Sequence, residues 1–119
     1  MEKEVFFNKL KEQAEQIEVQ LNDEQLEKFY LYMNLLIEWN EKINLTAIIE
    51  PEEIIQKHFV DSLTISKYVG DNDSLIDVGT GAGFPGIPLK IAKESTNITL
   101  LDALNKRLNF LNEVINKNE

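Results

Sequence analysis

The sequence predicts an α/β fold in which a helical segment, residues 1–70, precedes the start of a parallel sheet, residues 71–119. Two observations support this prediction. Over the first 70 residues, apolar side chains recur every three to four positions, the spacing of an amphipathic helix. From Ser74 onward the chain reads as apolar run, glycine-rich loop, helix, apolar run and helix, which is the order of a βαβα unit.

Two helices are predicted at the start of the chain. The second begins near Asn22, because Asn22 followed three residues later by Gln25 resembles a capping box. Its apolar face is broad, so we expect this helix to be central. The first helix carries the stripe Phe6, Leu10, Ala14 and Ile17. The second carries Leu26, Phe29, Tyr30, Met33, Leu36 and Ile37, widened by Leu31, Leu35 and Trp39.

A third helix is predicted from Pro51 to about Tyr68, after a connection over residues 40–50. Proline suits the first turn of a helix, and the two glutamates that follow it suit the positive end of the helix dipole. The residues expected on its buried face are Ile55, Phe59 and Leu63.

The second part of the chain contains two predicted strands and two predicted helices. The apolar pair Leu75-Ile76 leads into the glycine-rich stretch Asp77–Gly86, and a helix-like run follows over residues 87–93. A second strand, Asn97–Leu101, ends at Asp102. The last helix is predicted from the helical spacing of Leu104, Leu108, Leu111 and Ile115.

The glycine-rich loop is the strongest functional signal. A strand that leads through such a loop into a helix is typical of nucleotide or nucleoside sites, since glycines let the backbone approach a ligand closely. The spacing of Gly79, Gly81 and Gly83 matches the loop of class I methyltransferases. The stretch from Gly81 to Gly86 also matches the dinucleotide fingerprint. The alternative is a turn that binds no ligand. Four glycines disfavour this alternative, because ordering each glycine costs more conformational entropy than ordering another residue.

The acids that flank this loop each have two interpretations. Asp77 could orient an amino group of a ligand, or it could hold the loop through backbone hydrogen bonds. Asp102 ends the second strand, where an acidic side chain meets ribose hydroxyls, but it could also be the N-cap of the last helix. Phe84 could pack over a bound adenosine or methionine moiety, or fill the gap between helices and sheet.

The remaining candidates are weaker. His58, Asp61 and Ser62 share a face of the third helix, but a triad within one short helix cannot reach a common substrate atom. One histidine with one carboxylate is also a poor metal site, so we expect His58 to serve packing or hydrogen bonding between the two parts of the chain. Lys106 and Arg107 are read as a solvated helix face rather than an RNA contact.

Composition excludes several classes of protein. The chain has no cysteine, hence no disulfide framework, and its apolar runs fall short of the roughly 20 residues that span a bilayer. We therefore expect a soluble, cytoplasmic protein. Its net charge is −9, with 7 basic against 14 acidic residues up to Gly70. We do not expect such a chain to bind nucleic acid by itself, because contacts with phosphates need clustered Lys and Arg.

The number of strands predicts a truncated sheet. Doubly wound sheets usually have five or more strands, with the ligand crevice at a switch point between two sets of them. Two parallel strands with two helices form a poor independent unit. Either the N-terminal helices cover the exposed surface, or the chain is the front half of something longer; we expect a fragment.

Several motifs occur together in one order, and they resemble the bacterial ribosomal RNA small-subunit methyltransferase G family, also called GidB. The Gly-Phe-Pro-Gly-Ile-Pro stretch is more specific than a generic glycine loop, and the resemblance covers essentially the whole chain. The motifs are Asn44-Leu-Thr-Ala-Ile48, His58-x-x-Asp61-Ser62-Leu63, Leu75 to Leu89, Leu100-Leu-Asp102 and Lys106-Arg-x-x-Phe110-Leu111.

The resemblance implies a class I, Rossmann-like methyltransferase fold behind an N-terminal helical segment. It implies a protein that uses S-adenosylmethionine to methylate N7 of a guanine in 16S rRNA, within the small ribosomal subunit. Catalytic residues, the guanine pocket and the oligomeric state are not assigned, and no metal is expected. The cofactor-binding residues are expected to be Asp77, Gly79, Gly81, Gly83, Phe84 and Asp102.

Two other functions stay open. The overlapping fingerprint fits an NAD-dependent oxidoreductase, and a preference for NAD over S-adenosylmethionine would decide for it. A half-domain that keeps the loop without turnover would bind S-adenosylmethionine but transfer no methyl group to small-subunit RNA.

Overall fold

A computed structural model describes residues 1–118 and confirms the α/β class. Within these residues the regular elements are α1 (Lys3–Gln16), α2 (Asp23–Asn40), α3 (Pro51–Glu53), α4 (Asp61–Leu63), β1 (Ser74–Val78), α5 (Gly86–Ala92), β2 (Asn97–Leu101) and α6 (Asn105–Lys117). A π-helical stretch, Ile54–Val60, joins α3 to α4, and a 3-10 turn, Ser66–Tyr68, follows α4. The division of the chain into two domains at residue 70 stays a prediction.

The capping box predicted at the start of α2 is confirmed. The Gln25 amide donates to Asn22 Oδ1 at 2.8 Å, and the Asn22 amide donates to Gln25 Oε1 at 2.8 Å. The Gln25 side-chain nitrogen also donates to the carbonyls of Ile91 and Ala92, both at 3.2 Å. The residues that begin α2 therefore also attach it to the end of α5.

The third predicted helix is present but is not uniform. Ile55, Phe59 and Leu63 are fully buried, as predicted. The prediction of one helix to Tyr68 was wrong, because α-helical hydrogen bonding gives way to a π-helical stretch and ends at Leu63. The Thr64 hydroxyl donates to the Asp61 carbonyl, and such side-chain bonds compete with the helical ladder.

The sheet within the described residues has two parallel strands, paired from Ser74 with Asn97 to Val78 with Leu101. Side chains alternate between its faces. Leu75, Asp77, Ile98 and Leu100 are partly buried on the face towards the helices. On the other face, Ile76 is 67% exposed and Val78 is 76% exposed. Within the described residues, helices thus cover one face of the sheet only.

The core is a cluster of aromatic rings that extends from α1 to α6. The Tyr32 ring stacks on Phe59 at 5.3 Å between centroids and lies 6.3 Å from Phe110. Phe6 and Phe29 also contact Phe59, at 6.3 and 5.0 Å. All five of these side chains are fully buried. The N-terminal helices and the βα part therefore share one hydrophobic core.

The buried face of α6 contains only part of the apolar series from which the helix was predicted. Phe110, Leu111 and Val114 are buried, whereas Leu104 and Ile115 are exposed. Phe110 is at the centre of this buried face because aromatic rings of α2 pack against it. The Trp39 and Phe110 ring centroids are 5.8 Å apart. The orientation of α6 is therefore set by its partner helix rather than by its leucine spacing.

Candidate cofactor-binding site

The glycine-rich loop, residues 79–85, connects β1 to α5 and lies over the end of β2. The amides of Gly79 and Thr80 both donate to the carbonyl of Leu101, at 2.8 and 3.0 Å. Because parallel strands end at the same edge of a sheet, the loop and Asp102 meet there. This edge is where ligands bind in open α/β sheets.

Asp102 is bonded through both of its carboxylate oxygens. Oδ2 accepts from the Gly81 amide at 2.9 Å, and Oδ1 accepts from the Leu104 amide at 3.0 Å. The Arg107 guanidinium lies 3.5 Å from each oxygen and is 36% exposed, whereas the Asp102 side chain is only 2% exposed. The Leu104 and Gly81 amides and the Arg107 charge lower the pKa of Asp102, although burial opposes them.

At this end of the chain, the alternative interpretation of Asp102 and the expectation for Arg107 both differ from the structure. The N-cap of α6 is Leu104, without a side-chain cap, so Asp102 is not the capping residue. Its carboxylate instead bonds the amide two residues further on, which is an Asx-type turn. Arg107 is not simply on a solvated face, because it pairs with Asp102; Lys106 is exposed.

Asp77 holds the loop from beneath. Its Oδ2 accepts from the Thr80 hydroxyl at 2.7 Å and from the Gly86 amide at 2.9 Å. These bonds tie the beginning of the loop to the first residue of α5. Asp77 thus holds the loop through hydrogen bonds, one of the two roles considered for it from the sequence. Contact of Asp77 with a ligand stays a prediction.

The glycines divide into two kinds by what surrounds them. Gly79 and Gly81 have φ of +69° and +60°, and a Cβ built on either would meet nothing within 4 Å. At Gly83, a Cβ would lie 2.6 Å from Ile87 Cδ1. At Gly86, it would lie 2.4 Å from Leu100 Cδ2. The first pair leaves an open backbone surface, whereas the second permits close packing of helix and sheet.

Phe84 lies between the loop and the helical segment. Its ring stacks on His58 with centroids 4.2 Å apart and planes inclined by 10°. It also lies 5.6 Å from the Tyr32 ring. Phe84 therefore packs between the loop and the helical segment, close to the predicted role of filling the gap between helices and sheet; its contact with a ligand stays a prediction.

Sequence reasoning did not find Tyr32, although it holds the loop directly. Its hydroxyl donates to the carbonyl of Ala82, and the side chain is fully buried. Burial, helped by the nearby charge of Asp77, raises the pKa of Tyr32 well above its ordinary value, so the hydroxyl keeps its proton. Tyr32 lies three residues after Phe29 and four before Leu36, a helical spacing that could have revealed it.

His58, Asp61 and Ser62 do not form a catalytic triad. The Ser62 hydroxyl donates to the His58 backbone carbonyl at 2.6 Å rather than to its ring. The ring nitrogen Nε2 of His58 instead lies 2.8 Å from Thr46 Oγ1. In the part of the chain that the structure describes, no three His, Asp or Glu side chains lie close enough together to hold a metal ion.

The site residues fit a ribose-bearing ligand in two respects. A carboxylate lies at the end of the second strand, and each of its oxygens accepts one backbone amide and a longer, 3.5 Å contact from the Arg107 guanidinium. Beside it, Gly79 and Gly81 offer backbone free of side chains. The hydrogen bond from the Gly81 amide connects the Asp102 carboxylate directly to this open backbone.

A separate apolar groove of about 590 Å³ lies between α5, β2 and α6. Ile98, Leu108 and Ile115 contribute to its lining, but Gly79, Gly81 and Asp102 do not. The groove is therefore distinct from the candidate site, and we assign it no ligand. Among residues 1–118, no helix combines the length and hydropathy needed to cross a membrane.

The chain is similar to known proteins over most of its length. The model of the GidB family, described as rRNA small subunit methyltransferase G, matches residues 25–119. A protein of Clostridium botulinum (strain 657 / Type Ba4) named Ribosomal RNA small subunit methyltransferase G is 57% identical over 92% of this chain and 47% of its own length. Proteins of the same name from Clostridium beijerinckii and Lachnoclostridium phytofermentans are 58% and 62% identical, over 94% and 83% of this chain. The chain spans about half the length of these relatives, between 42% and 48%.

Proposed function

The chain belongs to the rRNA small subunit methyltransferase G (GidB) family, and from this we propose that it supplies the S-adenosylmethionine-binding part of an enzyme that methylates small-subunit ribosomal RNA. The position we propose for methylation is N7 of a guanine in 16S rRNA. Because the proposed substrate is ribosomal RNA, we propose that the protein acts in the cytoplasm.

The observation that supports this proposal best is the bond from the Gly81 amide to Asp102 Oδ2, at 2.9 Å. It joins an acceptor for ribose hydroxyls to a loop whose glycines leave the backbone accessible. We propose that Gly79 and Gly81 pass beneath the cofactor and that Asp102 accepts from its ribose. Arg107, 3.5 Å from that carboxylate, is the group that the ribose would displace.

The proposed chemistry makes modest demands on the protein. When bound, S-adenosylmethionine supplies an electrophilic methyl group. Guanine N7 already carries a lone pair, so the enzyme needs no strong base, and alignment of the two reactants contributes most of the acceleration. A rigid loop held by Asp77, Asp102 and Tyr32 suits that task.

RNA binding is proposed for the whole family-length protein rather than for this chain alone. The chain carries a net charge of −9, which disfavours contact with phosphates. It spans about half the length of its relatives. We therefore assign neither the guanine pocket nor the phosphate contacts to residues described here.

Calorimetric titration of the purified chain with S-adenosylmethionine, with NAD as the control ligand, tests the proposal. We expect saturable binding of S-adenosylmethionine alone. Gly81→Ala should weaken it, whereas Gly70→Ala, a matched change in the loop before β1 where φ is not positive, should not. Preference for NAD, or no binding by the folded chain, would contradict the proposal. Binding without methyl transfer to small-subunit particles would indicate a non-catalytic half-domain.

A further inference from the structure

The stack of His58 on Phe84 connects the helical segment to the glycine loop. At 4.2 Å between centroids and 10° between planes, it is the closest and most nearly parallel ring pair within residues 1–118. Phe84 directly follows Gly83, and its amide donates to the carbonyl of Thr80 at 3.2 Å. Phe84 therefore joins the ring stack to the hydrogen-bonded backbone of the loop.

His58 is itself held in place from two sides. It lies in the π-helical stretch Ile54–Val60, whose neighbouring residue Phe59 is fully buried. On the other side, Nε2 lies 2.8 Å from Thr46 Oγ1. Thr46 Oγ1 also accepts from the Ile48 amide at 3.0 Å, so this hydroxyl is itself held in place beside the His58 ring.

Thr46 is fixed by the end of α2. Asn40 Oδ1 accepts from the amides of Leu45 and Thr46, at 2.8 and 3.0 Å. A chain of direct contacts thus runs from Asn40 through Thr46 and His58 to Phe84. It also gives a structural role to the stretch Asn44–Ile48, which is otherwise remote from the loop in sequence.

The loop is held at a second point nearby. The Tyr32 hydroxyl donates to the Ala82 carbonyl, two residues before Phe84. Gly83 lies between these two points, and a Cβ there would lie 2.7 Å from the Tyr32 hydroxyl. The helical segment therefore fixes the end of the loop next to α5, whereas Asp102 fixes Gly81.

We propose that His58 is a positioning residue for the cofactor loop: held by Thr46, its ring sets the place of Phe84 and, through it, of the Gly81–Gly83 backbone. The effect on loop order is independent of any ligand, and the expected effect on S-adenosylmethionine affinity rests on the proposed function. His58 makes no contact with reacting groups in this role.

Three variants separate the hydrogen bond from the stack. Thr46→Val keeps the shape of the side chain but removes the hydroxyl, and with it the contacts to the His58 ring and to the Ile48 amide. His58→Phe keeps an aromatic ring against Phe84 without the hydrogen bond, and His58→Ala removes both. Thr99→Val is the matched control, because Thr99 is exposed on β2 and makes no side-chain hydrogen bond within the described residues. If His58→Ala does not fold, the other variants still decide.

The first readout is nuclear magnetic resonance of the whole chain without ligand. His58 is the only histidine, so its ring signals are assigned without ambiguity. We expect Thr46→Val to shift those signals and the Gly81 and Gly83 amides, and to speed exchange of the loop amides about fivefold. His58→Ala should do so more strongly, and His58→Phe should restore the loop partly. Unchanged loop amides in folded Thr46→Val and His58→Ala would overturn the proposal.

The second readout is the dissociation constant for S-adenosylmethionine at pH 7. We expect it to rise about fivefold in Thr46→Val and to stay constant in Thr99→Val. If the unmodified chain binds no S-adenosylmethionine while its loop still responds to Thr46→Val, the proposed function fails and the positioning role stands. If binding is normal in every variant and the loop does not respond, the positioning role fails alone.

Discussion

The Gly81 amide donates a 2.9 Å hydrogen bond to Asp102 Oδ2, across 21 positions of sequence. This bond joins the turn of the glycine loop to the end of β2. The Leu104 amide occupies the other carboxylate oxygen at 3.0 Å. Loop, strand end and the entry to α6 are therefore one connected unit without any ligand.

Replacing Asp102 by Asn should loosen this unit. An amide has one acceptor oxygen, so its NH2 group would face the amide of either Gly81 or Leu104, and one hydrogen bond would be lost. We expect a lower urea midpoint and about tenfold weaker binding of S-adenosylmethionine, since a ribose acceptor is also lost. Asp71→Asn, at an exposed aspartate, is the control. Equal effects of the two variants would contradict the role of Asp102.

The two kinds of glycine should respond differently to alanine. Gly81→Ala places a side chain at φ +60° in open space, which costs about 1–2 kcal/mol of backbone strain and narrows the ligand surface. Gly86→Ala drives a Cβ to 2.4 Å from Leu100 Cδ2, an overpacking that costs about 1–3 kcal/mol. Urea unfolding and calorimetry on both variants should show the larger binding defect in Gly81→Ala. A larger binding defect in Gly86→Ala would reverse this assignment.

Removing the Tyr32 hydroxyl should destabilise the protein. In Tyr32→Phe the buried carbonyl of Ala82 loses its donor, which costs about 1–3 kcal/mol. Tyr30→Phe is a matched control, since its hydroxyl bonds the exposed carbonyl of Met1, and we expect a change within about 0.5 kcal/mol. Urea unfolding measures both. Similar losses in the two variants would mean that the Ala82 bond is unimportant.

Stability should decrease as the pH falls below about 6.5, the ordinary pKa of histidine. Burial lowers the pKa of His58, with the negative charge of Asp61 opposing in part. The unfolded chain therefore takes up a proton on His58 at a higher pH than the folded chain does. Urea unfolding at pH 7.5 and 5.5 should show a smaller decrease for His58→Gln than for the unmodified chain. Identical decreases would show that His58 is not responsible.

Sequence patterns predicted the local features well where one segment contains the whole signal. The capping box of Asn22 and Gln25, the strand Asn97–Leu101 and the glycine loop each depend on residues close together in the chain. Sequence patterns were less informative where packing against a residue distant in the chain determines which side chains are buried. The face of α6 follows the rings of Tyr32 and Trp39, and the leucine spacing carries no information about them.

The candidate site shows the same division. The residues Asp77, Gly79, Gly81, Gly83 and Asp102 could be chosen as candidates from sequence, because a glycine-rich loop after one strand and an acid after the next are local patterns typical of ligand sites. Helical spacing could have placed Tyr32 in the core, and His58 was expected to connect the two parts of the chain, but their contacts with Ala82 and Phe84 could not be predicted, since both residues precede the loop by tens of positions.

By itself, the sequence determined the order of helices and strands, the glycine loop and the placement of Asp102 at a strand end. These follow from hydrophobic period, capping and backbone freedom, which act over a few residues. Only the tertiary structure decided that Asp102 is bonded to Gly81, Leu104 and Arg107, and that Phe84 rests on His58. Such contacts depend on how the helices pack against the sheet, and packing is settled by the complementary shapes of distant side chains.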